Sequence, residues 1–192
     1  MVERAIKSPL VDNLTYPYVH PLFVLNLARE THVQVVIPSA VYFLSLYPLD
    51  LLLRGDHPKL KVEHPSRPSA DIDSNVLRDY SLMFQKRLDI ILEFTRKLCG
   101  ERVASSTCTS PPTCTRGFAR LSLRLSKSWV PRTGPFHYML QAIAEVSDDS
   151  TFCIGCQKAF RQDAATFRES NWQILPSVLG LPSWEELQTS DL

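Results

Sequence analysis

Apolar residues recur at three- and four-residue spacings along most of the chain, which predicts helices and indicates no clear set of strands. The longest predicted helix covers about residues 75–98, follows the N-cap candidates Asp73 and Ser74, and ends at Gly100. Arg87 is assigned to a face away from the core. The predicted core-facing stripe consists of Leu77, Tyr80, Phe84, Leu88, Ile91 and Leu98.

Three shorter helices are predicted nearer the start of the chain. The first begins at Pro21, directly after His20, and the next two cover residues 38–46 and 49–53. Gly55 ends the third helix, because glycine readily adopts the left-handed conformation of a helix C-cap.

The apolar stretch from Val35 to Leu53 approaches the length of a membrane-spanning helix. Pro38 and Pro48 interrupt the stretch, and Asp50 would place a charge inside it. Two short buried helices are therefore predicted, with no membrane association.

In the distal half, residues 104–115 are rich in Ser, Thr and Pro and are predicted to form a loop. An amphipathic helix follows, and further helices are predicted to begin at Pro135, near Gln157 and at Pro182 or Ser183. The apolar side of the amphipathic helix comprises Phe118, Leu121, Leu125 and Trp129. Its opposite side carries Arg116, Arg120, Arg124 and Lys127.

The predicted fold class is all-α: an irregular helical bundle with a long central helix and a small cysteine-rich zinc-clasp region. The 192-residue chain has room for one domain with a small appendage. Its predicted parts are a helical segment over residues 1–56, a linker or surface loop over 57–73, the long helix over 74–100, and a helical cysteine-containing region over 101–192.

The formal net charge of +1 gives no overall preference for nucleic acid. Residues 102–144 nevertheless contain six basic residues and no acidic one, whereas acids outnumber bases after Glu145. We expect these two regions to neutralise each other within the fold. Aromatic residues do not alternate with the bases, so the pattern disfavours a nucleic-acid partner.

The first residues are charged and lack the apolar core of a secretory signal, which favours the cytoplasm or the nucleus. These compartments are reducing. The five cysteines are therefore expected to be thiols or metal ligands rather than disulfides.

The strongest chemical signal is the pair Cys153 and Cys156, because two thiolates at this spacing can bind one zinc ion from a tight turn. Gly155 is expected to let that turn bend. Cys108 and Cys114 supply the other two ligands of a predicted tetrahedral site. The zinc ion would tie the loop that holds Cys108 and Cys114 to the start of the helix after Cys156.

Other roles for these residues stay open at this point. Cys108 and Cys114 could be incidental loop thiols, and Cys153 and Cys156 could form a redox pair. His137 lies between the two pairs and could replace one of the ligands.

No catalytic motif accompanies the cysteines. The chain has only six glycines, no phosphate-binding glycine loop, no Gly-x-Ser-x-Gly motif and no His-Glu-x-x-His motif. The histidines are expected at surface or capping positions, and Cys99 is expected to pack as a core thiol. We therefore expect no enzymatic activity.

An ordered set of short motifs extends along the chain. It consists of His20-Pro21-Leu22 with Ala28-Arg29-Glu30, Ile37-Pro38-Ser39-Ala40-x-Tyr42, Cys108 with Cys114, Cys153-x-x-Cys156, and the ending Trp172-x-x-Leu175-Pro176-x-x-Leu179-Gly180-Leu181-Pro182-x-Trp184-x-x-Leu187. This set resembles the region downstream of the BTB/POZ domain in the large BTB protein families of mushroom-forming fungi. The resemblance covers roughly residues 1–188, and the ending is its most specific part.

The resemblance implies an adaptor-like protein, in which a BTB dimerisation or cullin-binding domain is joined to a helical, cysteine-bearing tail. No strand set of a BTB domain precedes this tail, and residues 2–8 at most resemble the helix that links the two. BTB dimerisation and cullin binding are therefore not transferred to this chain.

The predicted function is a non-catalytic protein-interaction or adaptor module with a structural four-cysteine zinc site and an unidentified protein partner. One alternative is a zinc-containing nucleic-acid-binding module that uses Arg116, Arg120, Arg124 and Lys127. Another is a thiol-dependent enzyme, which requires an exposed cysteine with a lowered pKa.

Overall fold

The computed structural model describes residues 19–61, 70–130 and 132–190. Helices dominate these residues and no strand occurs among them, which confirms the predicted all-α class. The linking helix predicted over residues 2–8 lies outside the described residues.

Nine α-helices follow one another in the described part of the chain. They are α1 (Pro21–Glu30), α2 (Ile37–Leu44), α3 (Leu49–Leu53), α4 (Ser74–Glu93), α5 (Pro111–Ser128), α6 (Pro135–Asp148), α7 (Ile154–Gln173), α8 (Leu175–Val178) and α9 (Trp184–Ser190). Short 3-10 helices cover Gln34–Val36 and Pro58–Leu60, and a π-helical segment, Phe94–Gly100, continues α4.

The chain divides into two compact units. Arg87–Trp172 forms one of them, called here the cysteine unit because it contains both cysteine pairs. Residues 19–86 and 173–190 belong to the second unit. The four-part division of the sequence stays a prediction.

In the second unit, α1 packs against α2. Leu22, Leu25 and Ala28 on the apolar side of α1 are buried. His20 is the N-cap of this helix, since its Nδ1 atom accepts the backbone N–H of Leu22 at 3.2 Å. The expectation that histidines occupy capping positions is confirmed for His20, although its side chain is buried rather than exposed.

Gly55 follows α3 with a φ angle of +64°, which confirms its predicted role as a helix stop. The apolar stretch from Val35 to Leu53 contains the two separate helices α2 and α3. Among the described residues, no helix has both the length and the apolar character needed to cross a membrane.

The buried side of α4 and the π-helical segment differs from the predicted stripe. It consists of Val76, Asp79, Tyr80, Met83, Arg87, Ile90, Ile91, Phe94 and Cys99. Arg87 is 1% exposed and lies in the middle of this side, so its assignment to an outer face was wrong. The prediction placed arginine at the surface, as is usual for this residue, and therefore chose the neighbouring face of the helix as the buried one. Only Tyr80 and Ile91 belong to both the predicted stripe and the observed buried side.

The hydrogen bonds at the two ends of α4 explain where this helix begins and ends. Asp73 caps its start as predicted, because its Oδ1 atom accepts the backbone N–H of Val76 at 2.7 Å. At the other end the hydrogen-bond pattern changes to that of a π-helix at Phe94. The joined helix covers 27 residues and ends at Gly100 as predicted, although its last part is not α-helical. The hydroxyl of Ser122 in α5 donates to the carbonyl of Thr95 at 3.1 Å and holds the π-helical segment against α5.

Aromatic rings form the core of the cysteine unit. Phe118 of α5 lies 4.7 Å from Phe152 and 5.6 Å from Phe160 between ring centroids. Leu121 and Leu125 are also buried, which confirms these three residues of the predicted apolar side of α5. Trp129, the fourth predicted residue, is half-buried and follows the helix in extended conformation, so its place on that side was wrong.

Candidate metal centre

The four predicted ligands come together. The Sγ atoms of Cys108, Cys114, Cys153 and Cys156 all lie within 4.8 Å of one another. All four cysteines are free thiols. The upper limit of 4.8 Å on these sulfur–sulfur distances is about 1 Å longer than the ~3.8 Å between sulfurs in a tetrahedral site with Zn–S bonds of ~2.3 Å. A small contraction would therefore suffice to close the group around one ion.

Three of the four cysteines lie at the start of a helix, and Cys108 lies in the loop that precedes α5. Cys114 is in the first turn of α5, Cys153 directly precedes α7, and Cys156 is in its first turn. The prediction of a loop up to residue 115 was wrong, because α5 begins at Pro111. Prolines in the first helical turn lose no hydrogen bond, so a Pro-Pro pair starts a helix as readily as it marks a loop. The cluster thus joins the starts of two helices.

Asp149 shapes the turn that leads to Cys153. Its Oδ1 atom accepts the backbone N–H of Thr151 at 2.9 Å, and its carbonyl accepts the N–H of Phe152 at 3.1 Å. The first of these bonds is the main reason why the pKa of Asp149 lies below its usual value. This turn brings the chain from α6 to the cluster.

Gly155 has a different role from the predicted one. It lies within α7, and a Cβ atom placed on it would be 2.6 Å from Oγ1 and 3.0 Å from the carbonyl oxygen of Thr107. A side chain would therefore push away the segment that carries Cys108. Close approach of two backbones, rather than a bend, explains the glycine.

Backbone N–H groups point at three of the four sulfurs. The N–H of Ser105 donates to Sγ of Cys156, and that of Cys153 donates to Sγ of Cys114, both at 3.4 Å. Sγ of Cys153 accepts the N–H groups of Cys156 and Thr109. These donors, together with the two helix starts, stabilise negative charge on sulfur.

The acidities of the thiols follow from their surroundings. The N–H groups of Cys156 and Thr109 lower the pKa of Cys153 to about 6. Burial raises the pKa of Cys156 to about 12 and also raises the pKa of Cys114. The cluster thus has an inner side of neutral thiols and an outer side on which Cys153 ionises readily.

Arg102 is a residue of this unit that the sequence pattern did not single out. Its guanidinium carbon lies 5.2 Å from the ring centroid of Phe118 and 5.4 Å from that of Phe160. It also forms an ion pair with Asp163 at 2.6 Å. Sequence spacing does not reveal this contact, because the three partners come from α5 and α7.

The remaining candidates lie outside the cluster. Cys99 is fully buried, and burial raises its pKa to about 12, which confirms it as a packed thiol. His137 does not belong to the group of four ligand atoms, and burial lowers its pKa. A histidine in place of one cysteine ligand is therefore not needed.

Comparisons of the chain with models of protein families, with curated proteins and with solved structures give no match.

Proposed function

We propose that Cys108, Cys114, Cys153 and Cys156 hold one structural zinc ion. The observation that carries this proposal is the convergence of their four sulfurs within 4.8 Å. Four thiolates are soft ligands that favour zinc over calcium or magnesium. They also fill a tetrahedral shell, so no coordination position is left for a substrate, and the site is architectural rather than catalytic.

The zinc ion would fix the start of α5 to the start of α7. Cys153 lies 39 positions after Cys114 and 45 positions after Cys108, so only the fold brings the two cysteine pairs together. Because an unfolded chain offers no such site, the free energy of zinc binding contributes directly to the stability of the cysteine unit.

One observation also bears on a thiol enzyme, since Cys153 is half-buried with a pKa of about 6. The backbone donors that lower this pKa stabilise a metal-bound thiolate equally well. The three other sulfurs next to Cys153 favour coordination over nucleophilic attack on a substrate. Zinc binding therefore explains both the lowered pKa of Cys153 and its three sulfur neighbours, whereas catalysis explains only the lowered pKa.

The module as a whole is proposed to be an intracellular, non-catalytic protein-interaction or adaptor module, related to the region that follows the BTB domain in fungal BTB proteins. The burial of Leu175 and Leu187 and the φ angle of +71° at Gly180 give structural reasons for the ending motif on which this resemblance depends. Full-length transcript sequencing tests the relationship. A strand-rich BTB region in the same reading frame would support the relationship, and an unrelated domain in that place would contradict it, while the zinc site depends on neither outcome.

Cysteine variants test the metal site. Purified wild-type protein is expected to carry one zinc ion per chain by native mass spectrometry, and Cys153→Ser and Cys156→Ser are expected to lose it and to melt at lower temperature. Cys99→Ser is the matched control, because Cys99 is a buried thiol outside the cluster. Unchanged zinc content and melting in Cys153→Ser and Cys156→Ser would refute the site.

A further inference from the structure

The exposed side of α5 is a basic surface of the cysteine unit. Arg116, Arg120, Arg124 and Lys127 are all exposed. At ~100° per residue they fall within an arc of about 80°, and they extend over about 16 Å of the helix axis. We call this surface the basic face of α5.

The fold neutralises only part of this face. Arg124 forms ion pairs with Glu145 at 3.2 Å and Asp149 at 4.0 Å, as the uneven charge distribution led us to expect. In the described ranges, no acidic side chain lies within 4.0 Å of the charged atoms of Arg116, Arg120 or Lys127. Arg116 donates from Nε only to the carbonyl of Pro112 within its own helix, and Arg120 acts on Asp149 only from a distance, so the charges of these three residues remain largely available to an outside partner.

An apolar side chain stands at the edge of the basic face, about 20° outside the arc of the four cations. Leu123 is 57% exposed and has Arg120 three residues before it and Lys127 four residues after it on the helix. A partner that covers this leucine gains hydrophobic burial in addition to charge pairing. Phosphate groups do not offer such contact, and the face lacks the aromatic side chains on which bases stack.

The helix is held rigidly behind this face. Phe118, Leu121 and Leu125 are buried on its opposite side. Its first turn holds Cys114 of the cysteine cluster. A partner would therefore meet a surface that is already ordered, and little conformational entropy of α5 would be lost on binding.

We propose that the basic face of α5 is a docking surface for an acidic protein segment with an apolar side chain among its carboxylates. Three turns of helix, or about five residues of extended chain, would cover its ~16 Å length. The inference rests on the proposed interaction role and gives it a location and a partner chemistry.

Binding of two fluorescent probes to full-length protein tests this proposal. The first probe is a 14-residue peptide of glutamates with leucines at positions 5, 8 and 12, and the second is a 14-nucleotide oligo-dT. The peptide is expected to bind with an affinity that falls as salt rises. Arg116→Glu with Arg120→Glu should weaken it about tenfold or more, because two attractions become repulsions.

Two further variants make the test specific. Leu123→Ser should lower the affinity for the peptide at least a few-fold and leave the affinity for oligo-dT unchanged. Arg54→Glu with Lys158→Glu is the matched control, because it makes the same charge change at exposed positions outside α5. Tighter binding of oligo-dT than of peptide, no peptide binding at low salt, or equal loss in the control would overturn the proposal.

Zinc content measured on the same samples separates this inference from the metal site. Peptide binding that fails in protein with one bound zinc ion would reject only the docking surface. Charge-dependent peptide binding by protein without zinc would reject only the metal site.

Discussion

The Sγ atoms of Cys108 and Cys153 lie 3.6 Å apart, although 45 residues separate them along the chain. The segment that carries Cys108 can reach this position because Gly155 has no side chain, which leaves room for Thr107. The geometry of the cluster thus depends on backbone contacts as well as on the ligands.

Replacing Gly155 by alanine should disrupt the cluster. The new Cβ would stand 2.6 Å from Oγ1 of Thr107 and 3.0 Å from its carbonyl oxygen, and the carbonyl cannot rotate away. We expect a loss of about 1–3 kcal/mol in the free energy of unfolding, measured in urea, together with weaker zinc binding. Ile154→Ala is the control, since Ile154 is 83% exposed. Equal stability of Gly155→Ala and wild type would show that the Thr107 segment moves freely.

Gly117→Ala sets two effects against each other. Alanine favours a helix by about 1 kcal/mol over glycine, but its Cβ would lie 2.8 Å from Cε1 of Phe152. Phe152 is 4% exposed and packs on Phe118, so its ring has little room to move. Thermal unfolding should therefore show net destabilisation, and adding Phe152→Leu should restore part of the loss. A more stable Gly117→Ala variant would mean that the ring yields.

Asp73 should make α4 sensitive to acid. Its hydrogen bond from Val76 is the largest cause that lowers its pKa below 3.8. A carboxyl whose pKa is lowered by folding stabilises the native state above its unfolded pKa, and this contribution is lost as the pH falls through the folded value.

Asp73→Asn retains a capping oxygen without the charge, so its stability should fall less than that of wild type between pH 5 and about pH 2.5. Asp73→Ala should lose about 1 kcal/mol at pH 7. Asp89→Asn changes an exposed carboxyl of the same helix and serves as the control. Urea unfolding across this range provides the measurement, and identical pH profiles for Asp73→Asn and wild type would contradict the prediction.

Leu187 should be essential to the end of the chain. Its side chain is fully buried, and Ser183 and Glu186 cap α9 reciprocally, with Ser183 N–H donating to Glu186 Oε2 at 2.9 Å. Leu187→Ala is expected to cost about 2–5 kcal/mol in unfolding free energy. Leu53→Ala removes a leucine that is 58% exposed and should cost far less. Similar losses in the two variants would show that α9 is peripheral to the core.

Local signals in the sequence were sufficient to predict several elements. Pro21 and Pro135 start helices where proline is tolerated, Gly55 ends one, and Asp73 caps another. The convergence of the four cysteines was also predictable, because the chemistry of paired thiols restricts their roles to a few.

Features that depend on distant neighbours were not predictable. Arginine usually lies at the surface, but Arg87 lies inside the core, so the predicted stripe of α4 was placed on the wrong face. The need for glycine at position 155 comes from Thr107, which lies 48 positions earlier in the sequence. Neither relationship leaves a periodic signal in the chain.

The most direct test of the central claim is metal analysis combined with cobalt substitution. Protein purified under reducing conditions should contain one zinc ion per chain, and replacement by cobalt(II) should give the intense visible absorption of a tetrahedral tetrathiolate site. Cys99→Ser should give the same spectrum, and Cys156→Ser an altered one. Protein that is fully folded without metal, or cobalt bound with the weak spectrum of octahedral oxygen ligands, would contradict the four-cysteine zinc site.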